Sequence, residues 1–188
     1  ASDASCGPFF NAQLTGNEGL LSGNSPSQVH ITRGANDRWE RMSLSTREAD
    51  SLAIAPLREL TTHGERTVRT SIPTLDAFFG GLRPGSVTLL DSSDRMLFDL
   101  THILCVNGVS TLGQDVVWVD GGNSVNPYEL GRICRRFGLD RTEVLDSISV
   151  ARAFTAYQLV SLIDERLEEE VRRTGAGMVI VSCLPDMF

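Results

Sequence analysis

The amino-acid sequence predicts an α/β fold, in which a mainly parallel sheet is flanked by helices and preceded by an irregular N-terminal arm. Short apolar runs at 86–90, 115–120, 147–151 and 178–184 alternate with segments of helical periodicity. Glycine, proline and asparagine separate the runs, as is usual where strands alternate with helices. Because strands joined by crossover helices run parallel, we expect one four-stranded parallel sheet covered on both faces, with its last strand, 178–184, fully buried.

The overall composition is that of an ordinary globular protein. The 188 residues are 41% hydrophobic and 22% charged, which is enough for one good core and a small additional arm. The net charge of −7 excludes a surface that is basic all over, so nucleic-acid contact would require a local patch. No apolar run approaches the roughly 20 residues of a membrane span and no signal peptide is evident. We therefore expect a cytoplasmic protein without a membrane partner.

Residues 1–45 are the least regular part of the sequence. They are rich in Ser, Gly and Asn, and their apolar residues follow no sustained period, which predicts an irregular extension. A small β-element at 28–32 is the alternative interpretation. Residues 46–188 are expected to form the core domain, and a final apolar strand suggests that its sheet is incomplete at the C-terminus. The cysteines lack metal-ligand spacing and are interpreted as reduced: Cys6, Cys105, Cys134 and Cys183.

Start and stop signals place the first predicted helices. A capping pattern at the start of 45–60 favours a short helix there. Pro73 opens a second short helix, which the glycine pair after Phe79 ends. After the first predicted strand, apolar residues recur at helical spacing, and we expect that helix to stop at Gly108.

The later helices carry equally clear signals. Asn126 followed by proline predicts the start of a helix that ends at Gly138. Asp140 and Glu143 form a capping box for one further turn. Residues 156–173 show the pattern of a long amphipathic helix, whose mixed charges are those of a solvated face. Its apolar stripe comprises Leu159, Val160, Ile163, Leu167 and Val171.

The segment between the first predicted strand and its helix stands where phosphate-binding proteins carry a glycine-rich loop. Such a loop surrounds phosphate with backbone N–H groups, supplies a lysine, and holds magnesium through a hydroxyl. Here the segment from Asp91 to Met96 contains no glycine and no lysine. Its two carboxylates, Asp91 and Asp94, would repel phosphate. The sequence therefore predicts the scaffold of a phosphate site without its chemistry.

Several stretches carry a family resemblance, and two thirds of the chain resembles the ATPase core of the RecA/RadA recombinase superfamily, in particular archaeal RadA-type paralogues. The stretches are 70–76, 80–81, 85–88, 99–107, 135–140, 144–146 and 150–154. This resemblance implies a RecA-like P-loop-type core from about residue 67 onward. It also implies a bound nucleotide and magnesium, if the family's catalytic residues were present.

The catalytic residues that the resemblance implies are absent. Leu97 and Phe98 fall near the family's lysine and threonine, and Gly122 stands where it has a water-orienting glutamate. Asp120 remains, but Ser182 replaces the aspartate that holds magnesium. Phosphoryl transfer depends on exactly these groups, so we expect a pseudo-ATPase with no catalytic residue, cofactor or metal. The degenerate nucleotide site comprises Asp91, Ser92, Ser93, Asp94, Arg95, Leu97, Phe98, Asp120, Gly122 and Ser182.

The resemblance implies a non-catalytic accessory or regulatory factor in DNA recombination and repair. Its expected partners are a RecA/RadA-family ATPase or further copies of itself. A basic cluster suggests single-stranded DNA as another partner: Arg132, Arg135, Arg136, Arg141 and Arg152.

Three other functions remain open from the sequence. One is a KaiC-like regulatory or structural subunit of a complex outside recombination. Another is a nucleotide- or DNA-binding module with an atypical site, for which Arg95 is the first candidate. The third is an enzyme with different chemistry in the vacated pocket, where Asp91, Asp94 and Asp120 could hold a hard cation.

Overall fold

The computed structural model describes residues 28–35, 38–45, 66–92 and 95–183. None of the helices it describes has the length and apolar content needed to cross a membrane. The elements in chain order are β1 (Gln28–Ala35), β2 (Arg38–Ser45), α1 (Pro73–Phe79), β3 (Val87–Ser92), α2 (Met96–Leu112), β4 (Val116–Asp120), α3 (Pro127–Phe137), α4 (Arg141–Asp146), β5 (Ile148–Arg152), α5 (Ala156–Ser161), a π-helical turn (Leu162–Arg166), α6 (Leu167–Thr174) and β6 (Met178–Ser182).

A parallel sheet lies at the centre of the α/β core, which confirms the predicted fold class. Its strand order is β5-β4-β6, and both neighbours run parallel to β4. All five residues of β4 are buried. On one face, Trp118 packs with apolar residues of α2, α3 and α4, and on the other Val119 packs with Leu159 of α5. Burial on both faces explains why β4 is uniformly apolar up to its final aspartate.

The prediction of a four-stranded parallel sheet was wrong for its first strand. β3 lies in a second sheet of order β2-β1-β3, where it runs antiparallel to β1. Its residues alternate in exposure: Val87 and Leu89 are 55% and 53% exposed, whereas Leu90 packs on the core of α1 and α2. An antiparallel strand that is packed on just one of its faces needs apolar residues on that face alone. The short apolar run therefore did not indicate burial on both faces.

The expected irregular arm is in part a β-hairpin. β1 and β2 pair antiparallel from Gln28↔Ser45 to Ala35↔Arg38, so the small β-element proposed as the alternative is present and longer than expected. Residues 1–27 lie outside the described residues, and so does the helix predicted within 45–60 apart from Ser45, which ends β2.

The predicted stop at Gly108 was also wrong, because α2 continues to Leu112 and is capped by Gly113 in the left-handed region. Gly108 is buried inside the helix, and a Cβ there would lie 2.7 Å from the Sδ of Met178. The glycine is therefore required where α2 approaches β6 closely, rather than where the helix ends.

The other helix signals are confirmed. Pro73 stands at the first position of α1, and the side chain of Asn126 accepts a hydrogen bond from the Tyr128 N–H at the start of α3. The carboxylate of Asp140 accepts from the Glu143 N–H at 2.9 Å. The long amphipathic helix spans α5 to α6 without a break, although it contains the π-helical turn.

Two statements about burial need correction. The last strand was expected to be fully buried, but in β6 only Ile180 is buried, because β6 has a described neighbour on one side only. Val160 was assigned to the apolar stripe of the long helix and is instead 53% exposed.

Candidate functional site

The carboxyl edge of the parallel sheet brings three of the predicted positions together. Asp120 ends β4, and the strand register sets it beside Arg152 at the end of β5 and Ser182 at the end of β6. The carboxyl ends of parallel strands are where α/β proteins usually bind ligands. The geometry of these side chains therefore decides whether the predicted nucleotide site can work.

Asp120 is fully buried and accepts hydrogen bonds at both carboxylate oxygens. Oδ1 receives the N–H and the hydroxyl of Ser124 at 3.0 and 2.8 Å and the Ser182 hydroxyl at 3.2 Å. It also receives the N–H of Gly122 at 3.3 Å, while Oδ2 receives the N–H of Val125 at 3.0 Å. Oδ1 is therefore saturated, and Oδ2 is buried between the Val125 N–H and the Arg152 guanidinium, so the carboxylate is enclosed and not accessible from solvent.

The electrostatics of Asp120 follow from the same contacts. Burial alone would raise the pKa of this carboxyl, but hydrogen bonds from Val125, Ser124 and Gly122 stabilise the charged form. The net result is a pKa below the ordinary value of 3.8. The Arg152 guanidinium lies nearby, with Nε 3.8 Å from Oδ2. Asp120 is thus a charged group that folds the 121–125 loop onto the end of the sheet.

Ser182 is held in the same network. Its hydroxyl oxygen accepts from the Trp118 indole N–H at 2.9 Å and lies 3.2 Å from the Ser124 hydroxyl. A serine in this position holds the sheet edge together and has no charge with which to bind magnesium.

Behind Trp118 lies a buried histidine that the sequence did not single out. The ring of His102 packs edge-on to Trp118, with centroids 5.1 Å apart. Its Nε2 accepts from the Asn126 N–H at 3.0 Å, which leaves Nδ1–H to donate to the Phe98 carbonyl at 2.6 Å. Nδ1 therefore binds within α2, while Nε2 joins α2 to the start of α3.

The position where the family carries its glutamate has no room for one. A Cβ added to Gly122 would overlap both the Sγ and the Cβ of Cys183. Cys183 itself adopts a positive φ of 59°, which brings its side chain against the loop. The glycine at the position where the resemblance implies a glutamate is thus packed against Cys183, the residue directly after β6.

The remaining residues of the degenerate site lie elsewhere. Asp91 and Ser92 belong to β3, in the antiparallel sheet, and Ser93 and Asp94 are outside the described residues. Arg95 is exposed just before α2. Leu97 packs half-buried on the core of α1, and Phe98 is 42% exposed.

The structure gives no support to a cation site built from Asp91, Asp94 and Asp120. Asp91 and Asp120 belong to strands of different sheets, and the carboxylate of Asp120 is already enclosed by its own hydrogen-bond donors. Among the described ranges, no three His, Cys, Asp or Glu side chains are grouped so that they could hold a metal ion.

The five arginines of the predicted basic cluster divide into separate sets of contacts. Arg132 forms an ion pair with Glu129 on α3. Arg141 packs on Gly131, and Arg152 donates to the Val125 carbonyl at 3.1 Å beside Asp120. Three of the five are exposed and form no ion pair within the described part of the chain: Arg135 and Arg136, which close α3, and Arg141.

Sequence reasoning missed the residues that complete the Asp120 network: Trp118, His102, Ser124 and Val125. A signal was available for one of them. An aspartate followed within four residues by glycine, asparagine and serine is typical of a turn in which the carboxylate accepts backbone N–H bonds. The contributions of Trp118 and His102 depend on packing between α2 and β4, which local sequence does not reveal.

Comparisons with known proteins agree with this architecture. The family model described as Rad51 matches residues 66–188. The DNA repair protein RAD51 of Mycosarcoma maydis is 30% identical over 137 residues, which are 67% of this chain and 40% of that protein. The DNA repair protein RAD51 homolog B of Zea mays is 29% identical over 109 residues, 55% of this chain and 32% of that protein.

A third relative is named for meiosis. The meiotic recombination protein DMC1/LIM15 homolog of Mus musculus is 35% identical over 72 residues, 35% of this chain and 21% of that protein. The chain therefore spans less than half the length of each of these three relatives.

Proposed function

The chain belongs to the Rad51 family, and on that premise we propose that it acts in DNA recombination and repair without hydrolysing ATP. In this proposal it works through association with a recombinase of its own family or with further copies of itself. The relatives reported above are named for DNA repair and meiotic recombination, which favours this role over a KaiC-like subunit of another system.

The saturation of Asp120 is the observation that carries the proposal. Five donors from Gly122, Ser124, Val125 and Ser182 converge on its carboxylate. A working phosphoryl-transfer site needs an open carboxylate for magnesium, a cation for phosphate and a base for water. At this edge the carboxylate is enclosed. The residues present do not fit Mg-nucleotide, so no catalytic step is assigned to them.

The packing residues favour association as the alternative to chemistry. Trp118 packs in a buried apolar core with residues of α2, α3 and α4, and this packing does not depend on the catalytic groups that we infer to be missing. A family member that keeps this packed core but does not hydrolyse ATP can still present the surfaces by which a RecA-like domain is recognised. Its effect on a recombinase would then come from binding rather than from turnover.

The association is tested with the purified full chain and the Rad51 recombinase of the same organism. Sedimentation velocity is recorded for each protein alone and for the mixture, with and without ATP. We expect the mixture to form a discrete complex in both conditions, because the chain's own contribution does not require nucleotide. Sedimentation of two independent species under both conditions would contradict the proposed association.

Direct contact with single-stranded DNA is a second candidate, favoured by Arg135 and Arg136. Both are exposed at the end of α3, and Arg136 borders a groove of about 220 Å³ between α2 and α3. Arginines in the last turn also complement the helix dipole, so their placement alone does not require DNA.

Fluorescence anisotropy with an oligonucleotide of about 30 thymidines tests this contact at low salt. The variant Arg135→Ser/Arg136→Ser should weaken binding, whereas Arg172→Ser/Arg173→Ser on α6 should not, because those arginines are paired with Glu168 and Glu170. Equal affinity of both double variants would exclude α3 as the DNA contact.

A further inference from the structure

α2 and α3 leave an open groove of about 220 Å³ between them on the surface of the helix layer. Its floor consists of Ile103 and Ile133, which are 7% and 5% exposed, and of the half-buried Phe137. Sites for small-molecule ligands usually enclose about 300–1,000 Å³. The groove is therefore too small for a nucleotide and has the size that accepts one large apolar side chain.

The charged rim of the groove differs between its two ends. Arg132 forms an ion pair with Glu129, and hydrogen bonds from Arg132 hold the pKa of that carboxyl below its ordinary value of 4.5. The carboxylate of Asp99 acts on the same guanidinium and stabilises its positive charge. Arg136 lies one turn further along α3, is exposed, and forms no ion pair within the described part of the chain. The Arg136 end of the groove therefore carries an unbalanced positive charge.

The floor and the rim together specify the chemistry of a ligand. An apolar side chain in the groove buries the surface that Phe137 still exposes, and a carboxylate can form two parallel hydrogen bonds with the guanidinium of Arg136. Nucleic acid offers phosphate to the arginine, but its backbone would meet the carboxylates of Asp99 and Glu129 at the other end. A protein segment supplies an apolar anchor and a single negative charge, so it fits this groove better than a polyanion.

We propose that the groove between α2 and α3 is a docking site for a segment of a partner protein, which places one large apolar side chain against Phe137 and a neighbouring carboxylate on Arg136. This inference rests on the proposed function, since it names a surface and a partner chemistry for the association. Aromatic side chains seated in pockets contribute most often to the binding energy of protein interfaces. An aromatic anchor with an acidic neighbour is therefore the expected motif of the partner.

The groove is preformed and separate from the nucleotide site. Ile103 and Ile133 belong to the buried core that contains Trp118, and the cap of Asn126 fixes the start of α3. A rigid site loses little conformational entropy when a ligand binds. The partner segment therefore requires neither ATP nor a movement of the sheet edge around Asp120.

The test is an NMR titration of the full chain, labelled with ¹³C at its isoleucine methyl groups. The signals of the two floor residues are assigned with the variants Ile103→Val and Ile133→Val. The probe is the peptide Ac-GEFEG-NH2, compared with Ac-GEAEG-NH2, which lacks the aromatic ring, and with Ac-GKFKG-NH2, whose charges are reversed. We expect the first peptide to shift both signals saturably, and the two others to bind at least tenfold more weakly.

The variant Arg136→Glu reverses the charge at one end of the groove and leaves the apolar floor unchanged. It should lose the preference for Ac-GEFEG-NH2 and bind Ac-GKFKG-NH2 at least tenfold more tightly than the wild type does. The matched control is Arg166→Glu, which makes the same charge change at an exposed position on the helix that covers the opposite face of the parallel sheet. The control should keep the peptide preference of the wild type.

Four results would overturn the proposal. No saturable shift of the Ile103 and Ile133 signals, in a chain whose folding is verified by circular dichroism, would remove the site itself. Equal affinity for the three peptides would remove the stated ligand chemistry, and an unchanged preference in Arg136→Glu would remove the role of that arginine. Shifts of the same signals by an oligonucleotide of about 30 thymidines, without shifts by the peptide, would assign the groove to nucleic acid. No recombinase is present in this assay, so its failure is separate from failure of the recombinase association.

Discussion

Replacing Asp120 by asparagine is expected to destabilise the chain strongly, although the two side chains have the same shape. The amide can place its oxygen at the Oδ1 position and keep the hydrogen bonds from Ser124. Its NH2 group must then face the N–H of Val125, which now loses its acceptor. An unsatisfied buried donor costs about 1–3 kcal/mol, and the loss of charge weakens the bonds that remain. We expect a total of about 3 kcal/mol.

The assay is thermal or urea unfolding of the purified chain, followed by far-UV circular dichroism. A loss of about 3 kcal/mol corresponds to a fall in Tm of roughly 6–12 °C for a chain of this size. The matched control is Asp146→Asn, which changes an exposed aspartate at the end of α4 in the same way. Substitutions of exposed residues usually change the free energy of unfolding by no more than about 0.5 kcal/mol.

The pH dependence supplies an independent check on the same prediction. Because the pKa of Asp120 lies below 3.8 in the folded chain, its stabilising contribution is complete above the unfolded value. It is lost as the pH falls through the folded pKa. The difference in free energy of unfolding between the wild type and Asp120→Asn should therefore become smaller below pH 3.8. If, near neutral pH, Asp120→Asn lowered the free energy of unfolding as little as the Asp146→Asn control does, the account of the Asp120 hydrogen-bond network would be refuted.

Three further predictions concern other parts of the core. Burial raises the pKa of Asp76 above 3.8 despite hydrogen bonds from Thr70, so its contribution is lost as the pH rises through the folded pKa. Asp76→Asn should accordingly gain stability relative to the wild type between acid and neutral pH in urea titrations; a pH-independent difference would contradict this. Asn126→Ala removes the cap of α3 and should cost about 1 kcal/mol in the same assay, and no loss would show that the cap is dispensable. Gly122→Ala should cost about 1–3 kcal/mol through overlap with Cys183, and Cys183→Gly should restore most of that loss in the double variant. If the losses of stability in the two single variants simply added in the double variant, the overlap between a Cβ at position 122 and Cys183 would be excluded.

The parts of the fold that local signals determine were predictable. β4 is an unbroken apolar run because both faces are covered, and α3 begins at Asn126 because its side chain caps the helix. The partner of β3 was not predictable in this way. A short apolar run fits either a parallel core strand or the edge of a hairpin sheet, and only the pairing with β1 distinguishes them.

The sequence proposes the residues of the candidate site but not their geometry. The losses at Gly122 and Ser182 are predictions from the family resemblance, since each is a departure from a recognisable pattern. The enclosure of Asp120 cannot, because it depends on Ser182, which is 62 residues away in the chain. Gly108 illustrates the same limit: its role comes from the approach of Met178, a contact between distant segments.

The central claim, that the nucleotide site is closed, is tested most directly by isothermal titration of the full chain with ATP and magnesium. At about 100 μM protein, the experiment detects dissociation constants up to roughly the same concentration, equivalent to about −5.5 kcal/mol. The enclosed carboxylate of Asp120 predicts no heat of binding above that of dilution. Saturable binding at micromolar affinity would contradict the account, and a site involving Arg95 would then have to replace it.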